Sequence, residues 1–143
     1  MKIRIPNFVT TMALFTCVGC GGSAASVPLT GTITINKKAE ANLLIQFSSL
    51  TATGGKTSTG SATSTEGGKF EILGSDGKPG LPPGDYVVTV VDRNLEMEDD
   101  ELGKGKRIPP SRVNPKYLAT DGKVNPLKVT VEAGKASYEL VLD

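Results

Sequence analysis

Two thiols, one acidic run and the absence of histidine set the limits on what chemistry this chain can do. The thiols are Cys17 and Cys20, close together near the N-terminus. With no His among 143 residues, Ser-His-Asp and Cys-His sites are excluded, and the commonest proton shuttle at neutral pH is missing. The carboxylates fall mainly in turns or on the polar faces of alternating segments, which predicts solvated groups and no paired acid and base. The expectation is a protein that is not an enzyme. The run Asp92-Arg93-Asn94-Leu95-Glu96-Met97-Glu98-Asp99-Asp100-Glu101 offers oxygen ligands at alternate positions. A calcium loop, however, needs Gly at its sixth place and Glu at its twelfth, where Met97 and Gly103 stand. A solvated acidic loop, with no metal and no cofactor, is the expectation.

Three residues remain as binding candidates in the irregular stretch 92–125: Tyr117, Arg107 and Arg112. Lys104, Lys106, Arg107 and Arg112 follow the acidic run closely. They can pair with it or touch an anionic lipid or polysaccharide, each contact being worth only about 1 kcal/mol before salt screening. Mutual pairing is the plainer reading. Tyr86 and Tyr138 stand at inward strand phases, whereas Tyr117 lies in the loop and is the one tyrosine placed to stack on a sugar. A connection this long is unusual in a compact domain, and long loops are where binding tends to reside.

These side chains must be positioned by strands. Ile33 and Ile35 alternate with Thr32 and Thr34; Leu43, Ile45 and Phe47 share a face; Phe70 and Ile72 alternate with Lys69 and Glu71. Tyr86-Val87-Val88-Thr89-Val90-Val91 is the most β-prone run and reads as a central strand. The stretch 57–63, all Thr, Ser, Gly and Ala, suits an edge strand. Leu127, Val129 and Val131, then Tyr138, Leu140 and Leu142, close the chain as two strands, with Ala133-Gly134-Lys135 predicted to join them as a hairpin. About seven short strands without an amphipathic helix predict an all-β fold, an antiparallel Greek-key β-sandwich. Gly 17 and Pro 9 agree with a turn-rich domain. No internal repeat is present.

The N-terminus has its own order. Lys2 and Arg4 precede a mainly apolar stretch, 8–15, which is far shorter than the roughly 20 residues of a spanning helix and reads as a removable signal peptide. It ends Cys17-Val18-Gly19-Cys20-Gly21-Gly22-Ser23, which resembles the lipobox of bacterial lipoproteins. That resemblance implies cleavage after Gly19 and lipid on Cys20. Cys17 as acceptor would place Leu14 in the usual Leu position but put Thr16 beside the cut. An ordinary signal peptide cut near Ala24 and Ala25 is a further alternative. The division expected is 1–19 signal peptide, 20–28 lipidated cysteine and tether, and 29–143 β-domain. Burial of acyl chains at about 0.8 kcal/mol per CH₂ makes two or three chains an effectively permanent anchor. Without Lys2 and Arg4 the remainder holds 14 basic and 15 acidic side chains, so no electrostatic case for nucleic acid exists.

Thr30-Gly31-Thr32-Ile33, Gly68-Lys69-Phe70 and Leu81-Pro82-Pro83-Gly84-Asp85-Tyr86-Val87-Val88 together resemble the transthyretin-like or carboxypeptidase regulatory-like domains of secreted bacterial proteins, especially small planctomycete-type lipoproteins. Pro115-Lys116-Tyr117 and Asn125-Pro126-Leu127 are similar to later segments of that subgroup. The resemblance implies a β-sandwich with no catalytic residues, held in the cell envelope through acylated Cys20, facing the periplasm or the cell surface. The expected role is a structural or binding module, with the bilayer and an envelope protein or polysaccharide as partners. A carbohydrate or peptide carrier using the 92–125 loop and a calcium-dependent adhesion module are the alternatives.

Overall fold

The computed structural model describes residues 25–51, 57–95 and 110–143. Among them are nine strands: β1 Thr30–Ile35, β2 Lys38–Ala39, β3 Leu43–Ser49, β4 Thr59–Thr63, β5 Lys69–Glu71, β6 Leu73–Gly74, β7 Gly84–Asp92, β8 Lys128–Val131 and β9 Ser137–Leu142. The helical elements are short 3-10 turns, Glu66–Gly68, Arg93–Leu95 and Pro115–Leu118. One sheet is built on β1, flanked by β9 on one side and by β2 and β5 on the other; the second runs β6-β4-β3-β7-β8. The fold is all-β, and its two sheets enclose a single apolar core.

The pleat explains which residues fill that core, because successive side chains in a strand point to opposite faces. On β1 Ile33 and Ile35 are buried while Thr30 and Thr32 are exposed; on β9 Tyr138, Leu140 and Leu142 are buried while Ser137, Glu139 and Val141 face out. β3 sends Leu43, Ile45 and Phe47 inward, and β7 meets them with Tyr86, Val88 and Val90. Phe47 and Tyr86 pack edge to face at 6.1 Å between ring centroids. β7 is central, as its sequence predicts, pairing with β3 along Tyr86 to Asp92 and with β8 along Gly84 to Val87. Gly31 lies opposite Phe70 and beside Tyr138. A Cβ there would come within 2.1 Å of the Tyr138 carbonyl oxygen and 2.6 Å of the Phe70 ring. Only glycine lets the Phe70 ring and the β9 backbone approach β1 this closely.

Three strand relationships differ from the sequence expectation. The sheets are not antiparallel throughout, since β1 and β9 run parallel in register from Thr30 opposite Ser137 to Ile35 opposite Leu142. β8 and β9 do not form a hairpin. β8 pairs with β7 in one sheet and β9 with β1 in the other, and the Ala133-Gly134-Lys135 turn carries the chain across between them. The Thr30 amide donates to the Ala136 carbonyl at 2.8 Å, so β9 starts at the same pole as β1 and must run the same way. Alternation fixes which side chains face inward but not which strand lies alongside. Finally, β4 is not quite an edge, because β6 covers it at Gly60 and Ser61.

The chain passes between sheets so that the ends of the domain are distinct. β1 begins, β3 ends, β7 begins and β9 begins at one pole; β1 ends, β3 begins, β7 ends and β9 ends at the other. At the first pole Val27 bridges Leu81, each amide donating to the other's carbonyl at 2.8 and 3.0 Å. At the second pole the chain leaves β7 at Asp92 and returns at residue 110.

Candidate functional site

Asp92 continues the inward phase of Tyr86, Val88 and Val90 to the last residue of β7, and its side chain keeps only 1% exposure. A buried carboxylate requires cationic or hydrogen-bonding partners. Arg112 supplies them across the base of the loop. Its Nε donates to Asp92 Oδ2 at 2.9 Å and its Nη2 to Oδ1 at 2.6 Å, a two-pronged pairing. Its backbone amide adds a bond to Oδ2 at 3.0 Å, and the Asn94 amide donates to Oδ1 at 3.0 Å.

The same guanidinium reaches the connection between β2 and β3. Nη1 donates to Glu40 Oε2 at 2.6 Å and Nη2 to the Ala41 carbonyl at 3.1 Å. Lys38 Nζ sits 3.0 Å from Glu40 Oε1. Arg112 therefore ties the end of β7 to the β2–β3 connection. Its hydrogen bonds hold the Asp92 carboxyl down at about 2, against the opposing pull of burial, and Asp92 in turn raises Arg112. Glu40 is lowered too, by its bond to Lys38 first and then to Arg112. A carboxylate so far below neutral pH does not accept protons there. The cluster is a clamp and not a proton-transfer site.

Tyr117 is placed differently from its expected role as an exposed stacking surface. Asn114 caps the turn Pro115–Leu118, its side chain accepting from the Lys116 amide at 3.1 Å. That turn drives Tyr117 into the core at 3% exposure. Its hydroxyl donates to the Asp143 carboxylate and accepts from the Asp143 amide. Lys116 Nζ lies 2.7 Å from Asp143 and 4.9 Å from the Tyr117 ring centre. Lys116 and Tyr117 together lower the fully exposed Asp143 carboxyl to about 2. Cys20, Arg107 and the acidic residues 96–101 lie outside the described residues.

Sequence reasoning passed over Asn125. It is 1% exposed, and its Nδ2 donates to the carbonyls of Val88, Tyr117 and Ala119 at 2.8, 3.3 and 2.8 Å. Its Oδ1 accepts from the Leu127 amide at 2.9 Å. This one amide fastens the returning segment to β7 just where β8 stops pairing with it. The available signal was an Asn before Pro126 between a turn and a strand, where a side chain can replace missing backbone bonds.

Two open grooves are present among the described residues. One of about 610 Å³ is lined by Thr30, Thr32, Thr63, Lys69, Phe70 and Glu71 among others, and one of about 460 Å³ by Gln46, Phe47, Ser61, Leu73, Thr89 and Thr120 among others. Among the described residues no group of three or more His, Cys, Asp or Glu is placed to hold a metal ion, and no helix is long and apolar enough to cross a membrane. Compared with protein-family models, curated proteins and solved structures, the chain matches none of them.

Proposed function

We propose that the chain is an exported lipoprotein, acylated on Cys20, whose β-domain acts as a structural or binding module without catalysis at the cell envelope. The observation that carries this reading is the N-terminal order: Lys2 and Arg4, an apolar stretch, Val18-Gly19-Cys20, and then only Gly, Ser and Ala until Val27. Val27 is where the domain's pairing starts. A lipid-bearing cysteine would thus be joined to the domain by a short tether of small residues.

The finer fold reading, a Greek-key sandwich of the transthyretin-like or immunoglobulin-like kind, rests on two features. The chain crosses between the sheets after β2, β4, β5 and β8. The Tyr86 hydroxyl donates to the Pro82 carbonyl four residues earlier at 2.8 Å, a corner known from immunoglobulin-type sandwiches. Arg112 and Tyr117 are absorbed in internal bonds, which favours the structural role over a carbohydrate carrier built on those two side chains.

The test is the intact mass and detergent partitioning of the protein made in a bacterial host, beside Cys20→Ser. The expected wild type lacks residues 1–19, carries acyl groups and enters the detergent phase, and the variant does neither. Unlipidated wild type in the aqueous phase would overturn the anchor.

A further inference from the structure

β9 pairs with β1 on one side only, and the direction of its hydrogen bonds decides which of its main-chain groups are left over. The Thr30 amide donates to the Ala136 carbonyl at 2.8 Å and the Asn36 amide to the Leu142 carbonyl at 2.9 Å. Along the parallel ladder between them, the even-numbered residues of β9 therefore turn their main-chain groups toward β1, and the odd-numbered residues turn theirs away. Asp143 obeys the same alternation, its amide donating to the Tyr117 hydroxyl and not to β1. Among the described residues, nothing bonds to the main-chain N–H and C=O of Ser137, Glu139 and Val141. Natural sheets guard such an edge with Lys, Pro or a bulge. β9 has none of these: it reads Ser-Tyr-Glu-Leu-Val-Leu, its register against β1 is unbroken, and Val141 stands 55% exposed. What such an edge binds is another extended main chain.

The side chains along the edge select that chain. Two copies related by a two-fold axis bring β9 antiparallel to β9, and main-chain bonds between them require odd residues opposite odd ones. Centred on Glu139, the pairing sets two carboxylates directly opposite each other, which is destabilising. Centred on Leu140, it needs the Asp143 amide, which Tyr117 already holds. Centred on Ser137, it needs Lys135 in the strand, whereas the Lys135 amide is tied into its turn by the Glu132 carbonyl at 3.2 Å. Centred on Tyr138, it puts each Ser137 opposite Glu139 of the second copy, hydroxyl facing carboxylate. The exposed Lys135 then lies diagonal to that same Glu139, within reach of a long side chain. Its Nζ already leans along the strand, 4.8 Å from the centre of the Tyr138 ring.

We propose that the chain self-associates through β9, two copies joining edge to edge about an axis at Tyr138, so that the sheet built on β1 continues from one molecule into the next. The occupant is a second copy because the edge complements itself in this register: each Glu139 meets a hydroxyl and an ammonium. A contact along six residues falls short of the roughly 1,200 Å² at which stable interfaces begin. The dimer is therefore weak and forms as concentration rises. It does not depend on the anchor at Cys20.

The experiment places single cysteines in the full chain carrying Cys17→Ser and Cys20→Ser, so that the introduced thiol is the only one. Ser137→Cys and Glu139→Cys report on the edge, and Lys128→Cys on β8 is the control; all three positions are exposed. Under mild oxidation, a mixture of the Ser137→Cys and Glu139→Cys chains is expected to form 137–139 disulfide dimers several-fold faster than either chain alone or the control. Sedimentation velocity should show a monomer–dimer exchange that Glu139→Lys shifts several-fold toward monomer, since attraction to Lys135 becomes repulsion. Cross-linking of the mixture no faster than the control overturns the pairing. A Glu139→Cys chain that links fastest to itself overturns the register, and with it the self-complementarity that names the second copy. A chain that stays monomeric at every concentration overturns the dimer outright.

Discussion

Asp92 and Arg112 are joined by a pairing that carries a definite pH signature. The folded carboxyl at about 2 lies below its unfolded value of about 3.9. Folding therefore favours the ionised form, the contribution is complete above about pH 4 to 5, and it is lost as pH falls toward 2, on the order of 2 kcal/mol. Glu40 and Asp143, also lowered, act in the same direction. Thermal melts of the domain at pH 6 and pH 3 should show the loss. Arg112→Met leaves Asp92 buried without its cation. With 29% of the guanidinium exposed, a cost of about 3 kcal/mol at neutral pH is expected, toward the low end for breaking a buried pair. The loss of stability between pH 6 and pH 3 should also shrink, because the side-chain bonds that lower Asp92 are gone while burial, which raises a carboxyl, remains; a variant melting like wild type at both pH values would contradict the clamp. Asn125→Ala removes four hydrogen bonds from a buried site. It should cost about 2 to 3 kcal/mol and speed amide exchange at residues 117–124 relative to β3. Unchanged exchange would show that the segment is held by other contacts.

Single substitutions also test the strands. Gly31→Ala must push apart β1, Phe70 and β9, costing about 1 to 3 kcal/mol, whereas Thr32→Ala on the exposed face next to it should stay within about 0.5 kcal/mol. Equal melting temperatures for the two would refute the close approach. Val88→Asp places a charge without a partner at 0% exposure in the middle of sheet two and is expected to prevent folding. A soluble, cooperatively melting variant would contradict the central position of β7. The strand phases were legible because each is a local period of two. The neighbours were not: Val131 and Tyr138, two residues before and three residues after the Ala133-Gly134-Lys135 turn, look like hairpin partners in sequence, yet they enter the same core from opposite sheets. Which edge a strand joins depends on where earlier strands left an open one, and no local pattern contains that.

On the scale of the molecule, the β-domain should be independent of residues 1–24. A chain beginning at Ala25 keeps the Val27–Leu81 bridge and should melt as the full chain does. One beginning at Thr30 loses that bridge and Leu29, which is fully buried, and should melt several degrees lower; indistinguishable melts would show that the first pole is not held by Val27. The amino-acid sequence alone determined the all-β class and the inward residues of β1, β3, β7 and β9. These follow from composition and from the geometry of the pleat, which act within a few residues. Only the tertiary structure decided that β9 runs parallel to β1, that Tyr117 is core, and that Arg112 closes on Asp92 twenty positions away. Such pairings depend on which groups the folded chain brings together in a water-poor space, where an ion pair, an amide hub and an open strand edge each find the partner that separation along the chain conceals.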